Sequence, residues 1–586
     1  MDLPVRRKQS FLHGALILTA ATILVKVIGA VFKIPLTLVL GAEGSAHFYT
    51  AYDIFNPVSA IAIAGLPIAV SKLVSENAAR GRFRDVKRIR RLSLLVFCIT
   101  GTLGFAVTFF FARPFAQLVG NPSGYLSILA ISPAVLFLCL MSSYRGYYEG
   151  LRNMYPTAIS QVVEALAKLI LGYCLALVII KLGLQDYEST GNVFGIAAGS
   201  AAAATTAVLP FAAAGAIMGV TLSTVFGLIY LFFRHLKQRD AISKQEYIKS
   251  PPARPKKELF GALIRIAVPV CLGSLVVSLT STIDLASVMN RLSVAVTNNA
   301  QSILDMYAGM LPQDMTLERL PSFLFGTYKG LPMTIFHLVP AITTAFGVSA
   351  LPAVSSAWAR NDYVELKRNV ESALRVTALV AVPAGLGMSA LAGPILTLLY
   401  NFSGDGLAGE VAISTPILSL MGIGVIFVAI ASPVNAILQA VGRADLPVKF
   451  MLVGGTLKLV INYVLVAIPR INILGAPVGT LVCYLFIAVA SIIAVCRQTH
   501  TTPNFMSVFI KPLLAGLFCA VAAFASYGLL SRVIDTRLGT VLAILIAAVV
   551  YLFVLFLIRG ISADDVNMLP GGEKIAKVLE NHGIIG

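Results

Sequence analysis

The chain has 586 residues, 58% of them hydrophobic and only 12% charged, with a net charge of +18. That composition excludes a soluble globular domain, a disordered chain and a small disulfide scaffold. A polytopic membrane protein fits it, and the positive charge then reflects basic loops on one side of the bilayer rather than nucleic-acid binding, for which no motif is present.

After a short basic tail, Met1 to Ser10, the first stretch long enough to cross a bilayer runs from Gly14 to Leu40. It is too long for a signal-peptide core and no small-residue cleavage site follows, so it is expected to stay. Lys26 lies near its middle, and Lys33 follows one heptad later. At ~100° per residue, Lys26, Gly29 and Lys33 share one face. An ammonium in hydrocarbon costs ~2.5–3.5 kcal/mol on insertion scales. The shared face therefore points to a cationic cavity built to hold something negative. Snorkelling to the interface is the plainer alternative for Lys33.

The second span, about Tyr49 to Val74, is interrupted by Pro57 and Pro67. The next loop gathers Lys72, Arg80, Arg82, Arg84, Lys87, Arg88, Arg90 and Arg91, which places it and the amino terminus in the cytoplasm. Spans three to five follow near Leu92–Phe111, Tyr125–Met141 and Thr157–Ile180. The loop SYRGYYEGLRNMYP between the last two carries Arg145 and Arg152. An Ala-rich stretch, Ile196–Ala216, either extends span six or re-enters the membrane. The basic, Pro-containing segment 236–257 reads as a surface linker between two halves.

Span seven covers about Leu259–Val288, and span eight ends near Ala357. Between them a short amphipathic helix is expected around Ile303–Met310. Six further spans bring the count to about fourteen, with both termini inside. Arg84, Arg152, Lys244 and Arg360 are expected in the cytoplasm, and Gly120, Glu188, Asp314 and Gly404 outside. The seven cysteines are scattered, as Cys98, Cys139, Cys174 and Cys519 illustrate, with no metal or redox spacing.

The two halves repeat. Leu66-Pro67 sits opposite Leu351-Pro352, Pro114 opposite Pro394 and Asn121 opposite Asn401. Arg152 and Pro156 pair with Arg443 and Pro447. Repeats of six spans each share one orientation, as in transporters that rock one half against the other.

The stretches ILVKVIGAVFKIPLTLVLGAEG, AIAGLPIAVSKLVSE and SYRGYYEGLRNMYPTAISQVVEALAKLILG resemble the stage V sporulation protein B family. This is the polysaccharide-export branch of the multidrug/oligosaccharidyl-lipid/polysaccharide flippase superfamily. The likeness spans about residues 10–500. It implies an all-α membrane protein with two six-helix lobes in a V and two extra carboxy-terminal helices. It also implies flipping of undecaprenyl-pyrophosphate-linked sugars such as lipid II, whose phosphates suit cavity lysines. Lipid II flippases carry arginines in spans one, two and eight. Lys26 occupies the first position and Lys33 the next with a one-residue shift; the second-span arginine falls near Ser59–Ala60, where no charge stands. Lys329 stands in for the eighth-span arginine. Lys lacks the bidentate fork of Arg, so headgroup recognition differs in detail.

In span five, Gln161, Glu164 and Lys168 share one helix face, and Glu164 can pair with Lys168. They line the cavity or form a structural buried pair. Asp284 and Asn462 lie on helices where related flippases place a sodium site, which suits oxygen ligands. The second carboxylate of that site falls near Val466, which cannot ligate. An intramembrane hydrogen bond is the plainer reading.

The expected organisation is a first lobe over 1–235, the linker 236–257, a second lobe over 258–500 and a final helix pair with tail over 501–586. The expected function is a monomeric lipid-linked saccharide flippase of the cytoplasmic membrane. Its expected substrate-binding residues are Lys26, Gly29, Lys33, Gln161, Glu164, Lys168 and Lys329. No cofactor is expected beyond a coupling ion, sodium or proton. The alternative is a cation-coupled multidrug antiporter, which calls for cavity carboxylates where this chain has lysines. A membrane-embedded glycosyltransferase lacks the paired carboxylates it would need.

Overall fold

The structure, a computed structural model, describes residues 11–63, 65–237, 242, 244–401 and 407–560. The two terminal tails and Gly404 lie outside these residues. The chain is a multi-pass α-helical membrane protein. Eleven segments among the described residues are long and apolar enough to cross a membrane. Helix is what such segments must form, because hydrocarbon offers no partner to backbone polar groups. Contacts divide the chain into two units, Met1–Asn290 and Arg291–Gly586. That boundary falls within a helix, not in the linker 236–257.

The first unit holds α1 (Phe11–Ile63), α2 (Leu66–Ala79), α3 (Phe83–Phe110), α4 (Ala112–Leu118), α5 (Tyr125–Gly150) and α6 (Tyr155–Thr190). After α6 come a two-stranded hairpin (β1, Asn192–Val193; β2, Ile196–Ala197), α7 (Ala201–Ala207), α8 (Leu209–Lys237), α9 (Lys244–Lys249) and α10 (Lys256–Asn298). Most of α10 belongs to this unit. The Ala-rich stretch does not re-enter: α7 leads directly into α8, and one apolar segment runs from Ala201 to Lys237. α5 is central, packed against α1, α2, α3 and α8.

α1 is two helices joined at Gly41, whose φ of 60° and ψ of −167° belong to a region that is essentially glycine-only. The chain folds back there. Phe32 and Phe48 would lie ~24 Å apart on a straight helix, yet their rings meet at 6.2 Å. A Cβ added at Gly41 would meet no atom within 4 Å, so a substitution feels the backbone alone. Gly41→Ala is therefore expected to cost on the order of 1–3 kcal/mol. Thermal unfolding of the purified variant checks this, and an unchanged midpoint would reject the reversal.

The linker is fastened to its own unit. Asp85, at the start of α3, has a side chain only 1% exposed. It accepts from Arg82 Nε at 2.6 Å, from the Arg254 backbone N–H at 2.7 Å and from Arg254 Nε at 3.1 Å. Arg254 also donates to Asn77 Oδ1 at 2.7 Å. Arg88 donates to the Ala253 and Arg254 carbonyls, and the Arg84 backbone N–H donates to Ser250 Oγ.

The second unit holds α11 (Ala300–Met306), α12 (Leu320–Gly330), α13 (Pro332–Phe336), α14 (Leu338–Ala359), α15 (Tyr363–Ala390) and α16 (Ala392–Tyr400). It continues with α17 (Ala408–Ala440), α18 (Asp445–Leu465), α19 (Gly475–Thr499), α20 (Lys511–Leu530) and α21 (Thr536–Leu557). The short helix of the 290–320 loop forms, starting slightly earlier than its apolar pattern suggests. α17 is central here, packed against α14, α15 and α19, and α20 packs on α15 and α21.

The repeat is visible in the helix ends. α3 and α15 match at both ends with an offset of 280 residues, from Phe83 to Tyr363 and from Phe110 to Ala390. The offset reaches 290 by the ends of α5 and α17, at Gly150 and Ala440. Left-handed residues mark equivalent corners: Gly81 (φ 68°) with Asn361 (φ 56°), and Arg152 (φ 56°) with Gly442 (φ 82°). Their backbone bonds agree too. Arg82 N–H donates to Asn77 O as Asp362 N–H does to Ala357 O. Asn153 N–H donates to Tyr148 O as Arg443 N–H does to Leu438 O. Trp358, the only tryptophan in the chain, packs edge-on against Tyr363 beside the Asn361 corner.

Two expected pairings change. Arg152 corresponds to Gly442, not Arg443. Pro67 lies fourteen residues before its corner and Pro352 only nine, a difference of ~7.5 Å along a helix. The counterpart of Pro67 is Gly347. Pro67 packs on Gly146 of α5, and Gly347 packs on Pro433 and Ala436 of α17. A Leu-Pro pair marks a place where a helix can bend, not a depth in the bundle.

A cationic and aromatic candidate site

The reversal at Gly41 sets the two limbs of α1 side by side and builds an aromatic ladder. Phe48 contacts Phe32 at 6.2 Å, Tyr49 at 5.4 Å and Tyr52 at 5.0 Å, and Tyr52 contacts Phe55 at 6.4 Å. Lysines lie over these rings. Lys33 Nζ is 5.5 Å from the Tyr49 centroid. Lys168, reaching in from α6, is 5.2 Å from Phe32 and 4.9 Å from Tyr52. A ring face attracts an ammonium by ~0.5–2 kcal/mol, more when water is excluded.

Glu164 does not pair with Lys168. Its partner is Arg145 of α5, whose Nη2 donates to Glu164 Oε2 at 2.9 Å while its Nε donates to Ser160 Oγ at 3.0 Å. The guanidinium engages two acceptors of α6 at once, which a lysine four residues away cannot do. Lys168 lies against the aromatic faces instead, still within electrostatic reach of Glu164. Arg145 was missed as a site residue because SYRGYYEG resembles a polar loop. The signal was there but weak: no proline intervenes between Arg145 and Gly150, where α5 ends, and Gly146 alone does not break the helix.

Tyr52 Oη in the ladder, and Gln161 Oε1 on the Glu164 and Lys168 helix, are buried without a hydrogen-bond partner among the described residues. Lys33, Glu164 and Tyr49 all lie within electrostatic reach of Tyr52. Lys33, Arg145 and Lys168 outnumber the two carboxylates near them, Glu164 and Glu149, the latter within electrostatic reach of Arg145. The cluster suits an anion.

The remaining expected residues lie apart from the ladder. Lys26 is exposed on α1, and a Cβ at Gly29 would meet open space. Lys33, on the same stripe, turns inward and is half-buried. Lys329 is buried on α12 of the second unit, its Nζ 5.7 Å from the Phe325 ring and 6.0 Å from that of Tyr328. Asp284 is buried in the first unit and Asn462 in the second. The donor set around Asn462 is a poor fit to a hard cation. Val466, the residue that caps the end of α18, is fully buried and apolar, and Lys458, one turn before Asn462, is a buried ammonium. Among the described residues, no group of three or more His, Cys, Asp and Glu side chains could hold a metal ion.

The sequence profile of the polysaccharide biosynthesis protein family matches residues 11–358, more than half of the chain. The chain belongs to the polysaccharide biosynthesis protein family. A second profile, that of the lipid II flippase MurJ, matches residues 329–550. Stage V sporulation protein B of Bacillus subtilis (strain 168) is 24% identical over 571 residues, 96% of this family member and 98% of the relative. The lipid II flippase MurJ of the same organism is 25% identical over 484 residues, 81% of this chain and 80% of the relative. A solved lipid II flippase MurJ in an inward closed conformation shares the fold, with a TM-score of 0.62 at 15% identity. That match covers 93% of this family member and 99% of the solved chain.

Proposed function

We propose that this protein moves a polyprenyl-pyrophosphate-linked saccharide, lipid II or a related cell-wall or polysaccharide precursor, across the cytoplasmic membrane. It works by alternating access, as a monomer with both termini in the cytoplasm, and forms no covalent bond with its cargo. One observation carries the reading: apolar spans hold Lys33, Lys168 and Arg145 against two glutamates, Glu164 and Glu149, which leaves an excess of positive charge. Charge at membrane depth is expensive and is kept where it meets a cargo or a partner. A pyrophosphate is the negative group that a lipid-linked sugar offers. A drug-cation antiporter calls for the opposite charge.

The test is native mass spectrometry of the purified full-length protein. The expected result is an adduct with the mass of a polyprenyl pyrophosphate bearing sugars, lost when Lys33 and Lys168 are both changed to methionine. An adduct that persists in the double variant, or protein that carries no anionic lipid, counts against the reading.

A further inference from the structure

A buried lysine recurs in the two halves. With the 290-residue offset, Lys168 of α6 corresponds to Lys458 of α18, which is 2% exposed. The packing agrees. One turn after Lys168, Gly172 meets Gly219 of α8 so closely that a Cβ on Gly219 would strike the Gly172 backbone. One turn after Lys458, Asn462 meets Gly479 of α19, where a Cβ would strike Asn462 Oδ1. Each lysine therefore sits one turn before the close crossing of its helix pair. The halves differ at the crossing itself, glycine in the first and asparagine in the second.

Asn462 is where a sodium ion would be sought on α18, and its surroundings argue against a mobile ion. Val466 supplies no oxygen. Lys458 shares the buried face of Asn462, since residues four apart are neighbours on a helix. A fixed ammonium within ~6 Å of a sodium ion would weaken its binding by about a hundredfold at an effective dielectric near ~20.

We propose that Lys458 is the resident cation of the second half. Its tethered ammonium takes the place that a coupling sodium would occupy, so the protein binds no sodium there and its cycle proceeds without one. The inference builds on the transporter reading but concerns the ion, not the cargo.

Thermal unfolding of the full-length protein in detergent tests it, in sodium, potassium or choline chloride at equal ionic strength. The wild-type midpoint is expected to be the same in all three, to within about a degree. The double variant Lys458→Met, Val466→Asp removes the ammonium and adds a carboxylate. Its midpoint is expected to rise by several degrees in sodium alone, as ligand binding to the folded state requires. A sodium-specific rise in the wild type overturns the proposal. So does a folded double variant that ignores sodium. If the double variant does not fold, the wild-type comparison still decides. The readout is sodium binding, so it fails or stands separately from the mass-spectrometric test of the cargo.

Discussion

Lys26→Ala is expected to abolish translocation while leaving the protein folded and abundant. Lys26 makes no hydrogen bond or ion pair among the described residues, and its side chain is exposed beside the open space at Gly29. Removing it strands no buried partner. The competing role is counter-ion to a buried carboxylate, Glu164 or Asp284; Arg145 takes Glu164, and Lys26 pairs with neither among the described residues. A lipid-facing ammonium at this depth would cost ~2.5–3.5 kcal/mol, so its presence calls for an anionic cargo. Lys26→Arg keeps the charge and should retain part of the activity, although the planar fork binds phosphate differently. Complementation of a flippase-depleted strain, with membrane abundance measured in parallel, reads the effect. Full complementation by Lys26→Ala at normal abundance would remove Lys26 from the cargo site.

Asp85→Ala should act in the opposite way, through stability. The carboxylate is buried and holds two arginines and a backbone N–H. Removing one member of a buried pair costs ~3–5 kcal/mol because the remaining charge is left without its partner. Arg82 and Arg254 keep 27% and 30% of their exposure, so the lower end, about 3 kcal/mol, is expected. The fastening of residues 250–254 should fail with it. Limited proteolysis would then cut the linker of the variant at protease levels that spare the wild type. Equal resistance in both would show that the clamp holds the linker by other means.

Much of the architecture was legible because apolar runs of about twenty residues have one stable form in a membrane. The repeat was legible as well, but its register was not. Leu-Pro pairs recur wherever a helix bends, whereas the left-handed residues Gly81, Asn361, Arg152 and Gly442 fix the corners. Asn361 is of a residue type that favours that backbone, but Arg152 gave no hint of it in advance. Arg145 was hidden because a tyrosine-rich helix end and a polar loop have the same composition. The linker looked loose because its prolines and lysines are surface residues. Asp85, the sole aspartate in a strongly basic loop, was the clue that something was gathered there. Lys33 and Lys168 could be found from their depth alone. Their aromatic partners could not, since Phe48, Tyr49 and Tyr52 join Phe32 only after the chain reverses at Gly41.

The corner at Asn361 has an optical consequence. Trp358 is the sole indole in the chain and sits beside Tyr363. Tryptophan emission therefore comes from one point, at the turn between α14 and α15. The first unit, with its aromatic ladder of phenylalanines and tyrosines, is dark at excitation wavelengths that tyrosine does not absorb. A spectral change on adding cargo would report on the second unit alone. A tryptophan placed in the first unit, with Trp358 replaced by phenylalanine, would let each half be watched separately without any dye.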